Sequence, residues 1–573
     1  MNYQAPLKDF HFLIHDVLNV SALSETDYFQ ESTVDVFDAV TEEAAKFSEE
    51  VLAPLNRPGD EEGCRFEDGE VFCPSGFKKA YEQYQAGGWP ALNLDDAYGG
   101  QGLANTLYAI VNEIMSTANP GFAMYRGLIE GAYSTILKYG TDELKARFLP
   151  GIASGDLLPT MNLTESHAGS DLGLLRTKAV PNDDGSYSII GNKIFITGGE
   201  HDLTKNIPHL VLARLPDAPE GSRGISLFIV PKFYEGEAGE LLRNDLSCSG
   251  IEHKMGLKSS ATCAMNYDGA KGWIIGAPHS GLKAMFTMMN AARLVVASQG
   301  VCAAEGASQI AEAYAAERVQ GKAPLSTSTE ADPINRHPDV LRMLRTQKVF
   351  AQGGRALILR TTLAHDLSIS SALEEERNAN EDFVQLLTPI CKAFLTDAGN
   401  EAASLGVQIL GGHGYIREWG VEQWMRDVRI AAIYEGTNGI QSLDLVGRKL
   451  SMKEGVLPQA YFKEVEAEIQ SAQKLFPLAN KLETALKTLI DQTKDIQKAN
   501  PVQKAETATD YLALFGLVAL GREWIAMAKL AVEKRNEDPE FYEDKIATAE
   551  FYIKRILPRY LAHAGIIKAG LSV

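Results

Sequence analysis

The period of the hydrophobic pattern changes twice along this chain, and that limits its fold more than any other feature. From the start to about residue 155, apolar residues recur every three or four positions, as in TVDVFDAVTEEAAKFSEEVLAPL, with a break expected at Asn56 to Pro58. From about Thr177 the period is two. TKAVPNDDGSYSIIGNKIFITGG alternates as strands do, with hairpin signals at Asn182-Asp183-Asp184-Gly185 and at Gly191-Asn192. Further strand-like runs follow at His209 to Arg214, GISLFIVPK and ATCAMNYDGAKGW. After Pro278 the helical period returns: Leu282, Met285, Phe286, Met289 and Val296 share one face, and Arg293 lies on it. Long helices are expected to about residue 410, interrupted by LSTSTEADPINRHPD and by the acidic EEERNANED. Two more stripes follow, Phe462, Val465, Ile469, Ala472, Phe476 and then, past Pro477, Leu482, Leu486, Leu489. The expected class is α+β: a helical domain over 1–160, a β domain over 161–277, a helical bundle over 278–454 and an additional helical domain over 455–573.

With 573 residues the chain has room for three or four domains, and 45% hydrophobic with 23% charged residues is ordinary globular usage. Lys plus Arg is 55 against 75 Asp plus Glu, a net charge of −20. Such a body repels phosphate backbones and anionic lipid, so nucleic acid is not an expected partner. The six cysteines show no C-x-x-C pairing, which suits a reducing compartment, and the cytoplasm is expected. MNYQAPLKDFHFLIHDV has an early acid and no long apolar core, so neither a signal nor a transit peptide is expected. No run approaches 18 uninterrupted apolar residues, and no transmembrane segment is expected. There is no G-x-x-x-x-G-K-[ST], no H-E-x-x-H and no histidine cluster, so no metal is expected; Gly100-Gln101-Gly102 lacks the third glycine and preceding strand of a dinucleotide fingerprint.

Three segments concentrate chemistry-bearing residues. MNLTESHAGSD, residues 161 to 171, offers hydroxyls and flexible backbone to a ligand's electronegative edge, although a helix-to-strand linker has the same composition. In LGVQILGGHGYIREWG, residues 405 to 420, Gly411-Gly412 reads as a helix cap or as closely approaching backbone for a phosphate, with Gln408 and Arg318 available nearby. In YEGTNGIQSLDL, residues 434 to 445, Glu435 follows the apolar run Ile430 to Ile433. A poorly hydrated carboxylate there rises toward the range of a useful base; the alternative is a glutamate capping the next helix.

Taken together, LTESHAGSDL, GNKIFITGG, EHKMGLKSSATCAM, QILGGHGYIREWGVEQWMRDVRI and IYEGTNGIQ, in this order, resemble the acyl-CoA dehydrogenase family over about residues 40 to 450. The resemblance implies a flavoenzyme that holds FAD between β domain and helical bundle and oxidises the α,β bond of an acyl-CoA to the trans-enoyl-CoA. It implies Glu435 as the base for the α-proton, with its own N–H polarising the thioester carbonyl. Met161, Leu163, Thr164, Gly169 and Ser170 would meet the flavin edge, with Phe195 and Thr197 over its face and Thr437 and Gly439 continuing the contacts. Arg318, Gln408, Gly411 and Gly412 would reach the FAD of a second copy, making a homodimer the working unit. Ser170, Arg293, Tyr434 and Glu435 would face the substrate, and an electron-transfer flavoprotein would take the electrons. Met161 and Phe195 stand where an aromatic and a tryptophan are usual, Gly439 replaces a longer polar residue, and Ala292 occupies the place where some relatives keep their base. The region beyond 455 is similar to that of a larger subfamily in which it covers the tetramer-forming surface. Within that subfamily, YQAPLKDFHFLI and YEGTNGIQSLDLVGRK look most like bacterial 3-(methylthio)propanoyl-CoA dehydrogenases of dimethylsulfoniopropionate breakdown. Short- or medium-chain fatty acyl-CoA dehydrogenases, an oxidase and a non-catalytic scaffold are the alternatives.

Overall fold

The computed structural model describes residues 3–572. Near its start Thr33 accepts a hydrogen bond from the Val36 N–H and opens a helix, Val34–Phe47, that buries Phe37, Thr41, Ala44 and Ala45. The helix packs against α1 (Asn105–Ala118), which is followed at Asn119 by α2 (Pro120–Arg126). Asn119 caps α2 through its side chain, and Pro120 occupies the first helical turn, where its missing N–H costs nothing. The break expected at Asn56 to Pro58 does not occur, because a helix spans Ala53–Glu62 with Pro58 inside it. Pro58 forfeits one backbone hydrogen bond. The turn stays helical because Gly59 and Asp60 are buried and Arg426 grips the Asp60 carboxylate at 2.6 and 3.0 Å.

Seven strands form the central sheet: β1 (Thr160–Asn162), β2 (Lys178–Pro181), β3 (Tyr187–Thr197), β4 (Pro208–Arg214), β5 (Ile225–Pro231), β6 (Leu246–Ile251) and β7 (Thr262–Ile275). Their order is β6-β7-β3-β2-β4-β1, and β5 pairs with both β4 and β7. Strands β7, β3, β2, β4 and β5 therefore close into a ring around Ile189, Val211, Phe228, Val230 and Met265. Asn182–Gly185 is the β2–β3 hairpin, but the second turn signal, Gly191-Asn192, lies inside an uninterrupted β3. A β-carbon on Gly191 would stand 2.9 Å from Thr177 Cα, so the glycine serves a close backbone approach and not a turn.

Three long helices, α3 (Gly281–Glu317), α4 (Pro338–Ser370) and α5 (Glu374–Leu410), make the bundle. The acidic EEERNANED does not interrupt it. Glu374, Glu375 and Glu376 form the first turn of α5, where the helix's positive end favours them. Phe286 falls at the edge of the apolar stripe of α3 and is 45% exposed. Gly300 of α3 and Gly399 of α5 touch, since a β-carbon on Gly399 would meet Gly300 O at 2.4 Å. That contact lets both helices approach one turn, residues 433–437, which leads into α6 (Asn438–Gly447). Beyond residue 455 the helices pack back onto α4 and α6 through α7 (Pro501–Glu533), where Trp524 Nε1 donates to Val349 O at 3.2 Å. Helix α7 is the one helix among the described residues long and apolar enough to cross a membrane, and 89% of its apolar window is buried inside the protein.

Candidate active site

The turn at residues 433–437 is built from local chain rules. The N–H groups of Ile433 and Tyr434 both donate to Ile430 O, at 2.8 and 3.1 Å, which ends the preceding helical turn. Glu435 then adopts φ 55° and Gly436 φ 85°. A glutamate in the left-handed region carries strain of order 1–3 kcal/mol and persists only where its surroundings over-determine it. Thr437 caps α6 by accepting from the Ile440 N–H at 3.2 Å, so the cap falls on the threonine and leaves the Glu435 carboxylate free of that task. Among the described residues the Glu435 N–H has no protein acceptor.

Three elements over-determine the turn. Gly436 O accepts from Lys392 Nζ at 2.8 Å and from Gln441 Nε2 at 3.2 Å. Lys392, on α5, is fully buried and also donates to Asn438 Oδ1 at 2.9 Å. Asn438 Nδ2 in turn donates to Thr396 Oγ1 and Asp397 Oδ1 at 3.0 and 2.8 Å. From α3, Arg293 reaches the turn: its Nη2 stands 3.7 Å from where a β-carbon on Gly436 would be. Arg293 is 8% exposed, its Nε lacks a partner, and its one side-chain acceptor is Asn290 Oδ1 at 3.1 Å. Burial pushes the Glu435 carboxyl up to about 7, against the pull of Arg293 and Lys392. Burial likewise brings the Lys392 ammonium down to about 8, with Glu435 and Asp397 opposing.

Beside Glu435, Tyr434 OH donates to Gln299 Oε1 at 2.5 Å, and Gln299 Nε2 lies 3.5 Å from Met124 Sδ. Gln299 also lines a cavity of about 20 Å³ with Ser116, Ala123, Cys302, Trp424 and Asp427. That volume holds roughly one water molecule.

The structure draws the residues expected at a flavin edge together. Ile194 N donates to Thr164 O at 2.9 Å, and Thr160 Oγ1 to Thr197 O at 2.6 Å, which stitches the 161–171 segment to the end of β3. Met161, Leu163, Thr164 and Thr197 are half-buried, Gly169 and Ser170 exposed. Phe195 is 59% exposed at φ 60°. A buried pair pins the segment from below: Lys193 Nζ donates to Leu163 O at 3.0 Å and Glu165 Oε1 at 2.9 Å. Burial raises the Glu165 carboxyl, but Lys193 and the donors of Arg176 and Thr177 outweigh it and bring the group to about 2.

A second group lies at the far end of the bundle. Arg318 follows α3, Gln408 is in the last turn of α5, and Gly411 caps α5 at φ 59°. Tyr314 OH bonds His413 Nδ1 at 2.9 Å, and the His413 ring stacks on Trp419 at 4.7 Å, which ties the two helix ends together. A β-carbon on Gly411 or Gly412 would meet nothing within 4 Å. Thr437 and Gly439 line an open cleft of about 410 Å³ with Arg429 and Asp397. These open glycine turns and half-buried hydroxyl edges suit an extended ligand with a planar ring and a phosphate chain, and FAD fits that description. Among the described residues no cluster of His, Cys, Asp or Glu has the arrangement of a metal site.

Lys392, Lys193, Gln299 and Met124 were not singled out from the sequence. Each acts on a partner far along the chain, 44 residues away for Lys392 and Gly436. Nothing local distinguishes such a side chain from an ordinary packed one.

Comparison with known proteins gives the family and the fold. Four family profiles match in order: acyl-CoA dehydrogenase, N-terminal domain, over residues 37–156; middle domain over 160–270; C-terminal domain over 279–450; and acetyl-CoA dehydrogenase C-terminal like over 461–572. The chain is 41% identical to 3-methylmercaptopropionyl-CoA dehydrogenase of Ruegeria pomeroyi over 100% of its own length and 99% of the relative's. It is 34% identical to a butyryl-CoA dehydrogenase of Syntrophomonas wolfei, over 97% and 95%. In fold it is similar to an acyl-CoA dehydrogenase of Bacillus anthracis complexed with FAD, with TM-score 0.76, 22% identity and 98% and 92% of the two chains covered.

Proposed function

Because the chain belongs to the acyl-CoA dehydrogenase family, and is thus an oxidoreductase acting on acyl-CoA thioesters, we propose that Glu435 is its base and 3-(methylthio)propanoyl-CoA its substrate. The observation that carries this reading is the Glu435 turn: a half-buried carboxyl raised to about 7, next to a backbone N–H that has no protein acceptor. The ionised carboxylate takes the α-proton. The Glu435 N–H donates to the thioester oxygen as negative charge builds on it, an oxyanion contact worth roughly 2.7–4 kcal/mol in comparable sites. Loss of a hydride from the β-carbon completes the α,β double bond. FAD, held by Met161, Leu163, Thr164, Gly169, Ser170, Phe195, Thr197, Thr437 and Gly439, supplies the two-electron acceptor when bound. Arg293 and Tyr434 line the thioester side, and Ser170 the opposite edge.

Tyr434, next to Glu435 in the chain, is held by Gln299, which also contacts Met124, and these side chains would border the acyl group. The full-length likeness to the R. pomeroyi enzyme favours the methylthio substrate, and the S. wolfei relative favours butyryl-CoA as the second reading. Arg318, Gln408, Gly411 and Gly412 remain open at the bundle end beside the 87% exposed Tyr415, which supports a homodimer in which each copy completes the other's FAD site. An electron-transfer flavoprotein then receives the electrons. Six free thiols suit a reducing, cytoplasmic setting.

Anaerobic flavin bleaching with a panel of thioesters tests the reading. Bleaching is expected to be fastest with 3-(methylthio)propanoyl-CoA, close behind with butyryl-CoA and slower with long acyl chains. In Glu435→Gln the flavin is expected to stay bound while bleaching slows by about 10²–10⁴-fold. Near-normal bleaching in that variant refutes the base assignment, and a preference for long chains refutes the substrate.

A further inference from the structure

Lys392 is a lysine with no exposed surface, and among the described residues both its hydrogen-bond acceptors are neutral, with no carboxylate within ion-pair distance. Its Nζ donates to two neutral acceptors, Gly436 O at 2.8 Å and Asn438 Oδ1 at 2.9 Å, one on each side of Thr437. A buried ammonium left without an ion pair is costly, and a purely structural contact to a carbonyl needs only a neutral donor such as Gln441, which already serves Gly436 O. What the charge adds is its nearness to Glu435.

We propose that Lys392 is a positioning residue for the base, fixing the Glu435–Gly436 turn and supplying the positive charge that balances the carboxylate. The inference rests on Glu435 being the base. The surroundings leave Lys392 this part. On its own helix Asp397 faces Lys392 as well as Arg429, from the turn before the base, and bonds the Asn438 amide. From α3 comes Arg293, which faces Asp444 of α6 and, just past it, Arg448; the latter two pair with each other at 2.7 Å. Glu435 thus meets two cations, Arg293 from one helix and Lys392 from another, and of these only Lys392 is hydrogen-bonded to the turn that carries it. Removing the charge leaves the carboxylate in the same water-poor place with Arg293 as its remaining cation.

The test is an infrared titration of the protonated Glu435 carboxyl band in the flavin-loaded enzyme, with the band assigned by its absence in Glu435→Gln. In the native protein the midpoint is expected near 7. In Lys392→Met it is expected to rise by about one pH unit or more, with the acid limb of flavin bleaching rising alongside it. Lys392→Gln, which keeps an N–H donor but not the charge and so guards against a misfolded Met variant, is expected to shift in the same direction. Lys392→Arg, which keeps the charge, is expected to stay within about half a unit of the native midpoint. An unmoved midpoint in both neutral variants, or an equal rise in Lys392→Arg, overturns the proposal. Either result does so even where Glu435→Gln has lost its bleaching and the base assignment itself holds.

Discussion

Two buried arginines on neighbouring helices are treated in opposite ways. Arg355 of α4 is wholly buried and surrounded by carboxylates: Asp9 from the helix Leu7–Phe12, Glu113 from α1 at 2.6 Å and Glu305 from α3 at 3.0 Å. Lys545, beyond α7, binds the same Asp9. One charge cluster thus joins the N-terminal helices, the bundle and the C-terminal extension. Arg293 of α3 is nearly as buried, yet it has no carboxylate within ion-pair distance among the described residues and leaves its Nε unpaired. The comparison teaches that pairing, more than burial, separates a charge used to hold the fold from one kept available for chemistry.

The first way to break this comparison is to delete the paired arginine. Arg355→Ala strands several carboxylates in the interior and is expected to destabilise the protein by about 3–5 kcal/mol, read by denaturant unfolding. A loss under about 1 kcal/mol would mean the cluster is no better than surface pairs. The base should titrate as before in whatever fraction stays folded.

Deleting the unpaired arginine gives a smaller and different effect. Arg293→Ala is expected to leave stability unchanged or nearly so, because no ion pair is broken and only the Asn290 contact is lost, while acyl-CoA affinity falls roughly tenfold, about 1.4 kcal/mol. Calorimetric titration with a non-reactive thioester analogue reads it. Unchanged binding would show that Arg293 does not face the ligand, and a large stability loss would erase the contrast with Arg355.

The contrast also explains what could be read along the chain. Alternation of period separates helices from strands because it records which face is buried, and the α+β class follows from it. Two local signals misled because a distant contact outvoted them, Arg426 holding Asp60 beneath Pro58 and Thr177 lying over Gly191; the third, Glu374 to Glu376, misled because an acidic run suits the positive end of a helix as well as a break. At the site, Glu435 after its apolar run and before Gly436 is encoded within a few residues and so was visible as a candidate base, whereas the cap on Thr437, and not on Glu435, shows only in the structure. Lys392 and Gln299 were not visible. Their meaning depends on the Gly300–Gly399 contact that brings α3 and α5 to one turn, and no window of sequence contains both glycines. Arg355 and Arg293 look alike in sequence for the same reason.

The most direct measurement is the pH dependence of a single round of flavin bleaching by 3-(methylthio)propanoyl-CoA without oxygen. The carboxylate acts in its ionised form, and burial has raised Glu435 to about 7. The rate should therefore climb about tenfold per pH unit below that value and level off above it. A rate flat from about pH 5.5 to 8, outside the reach of a group so raised, would contradict a buried Glu435 as the base.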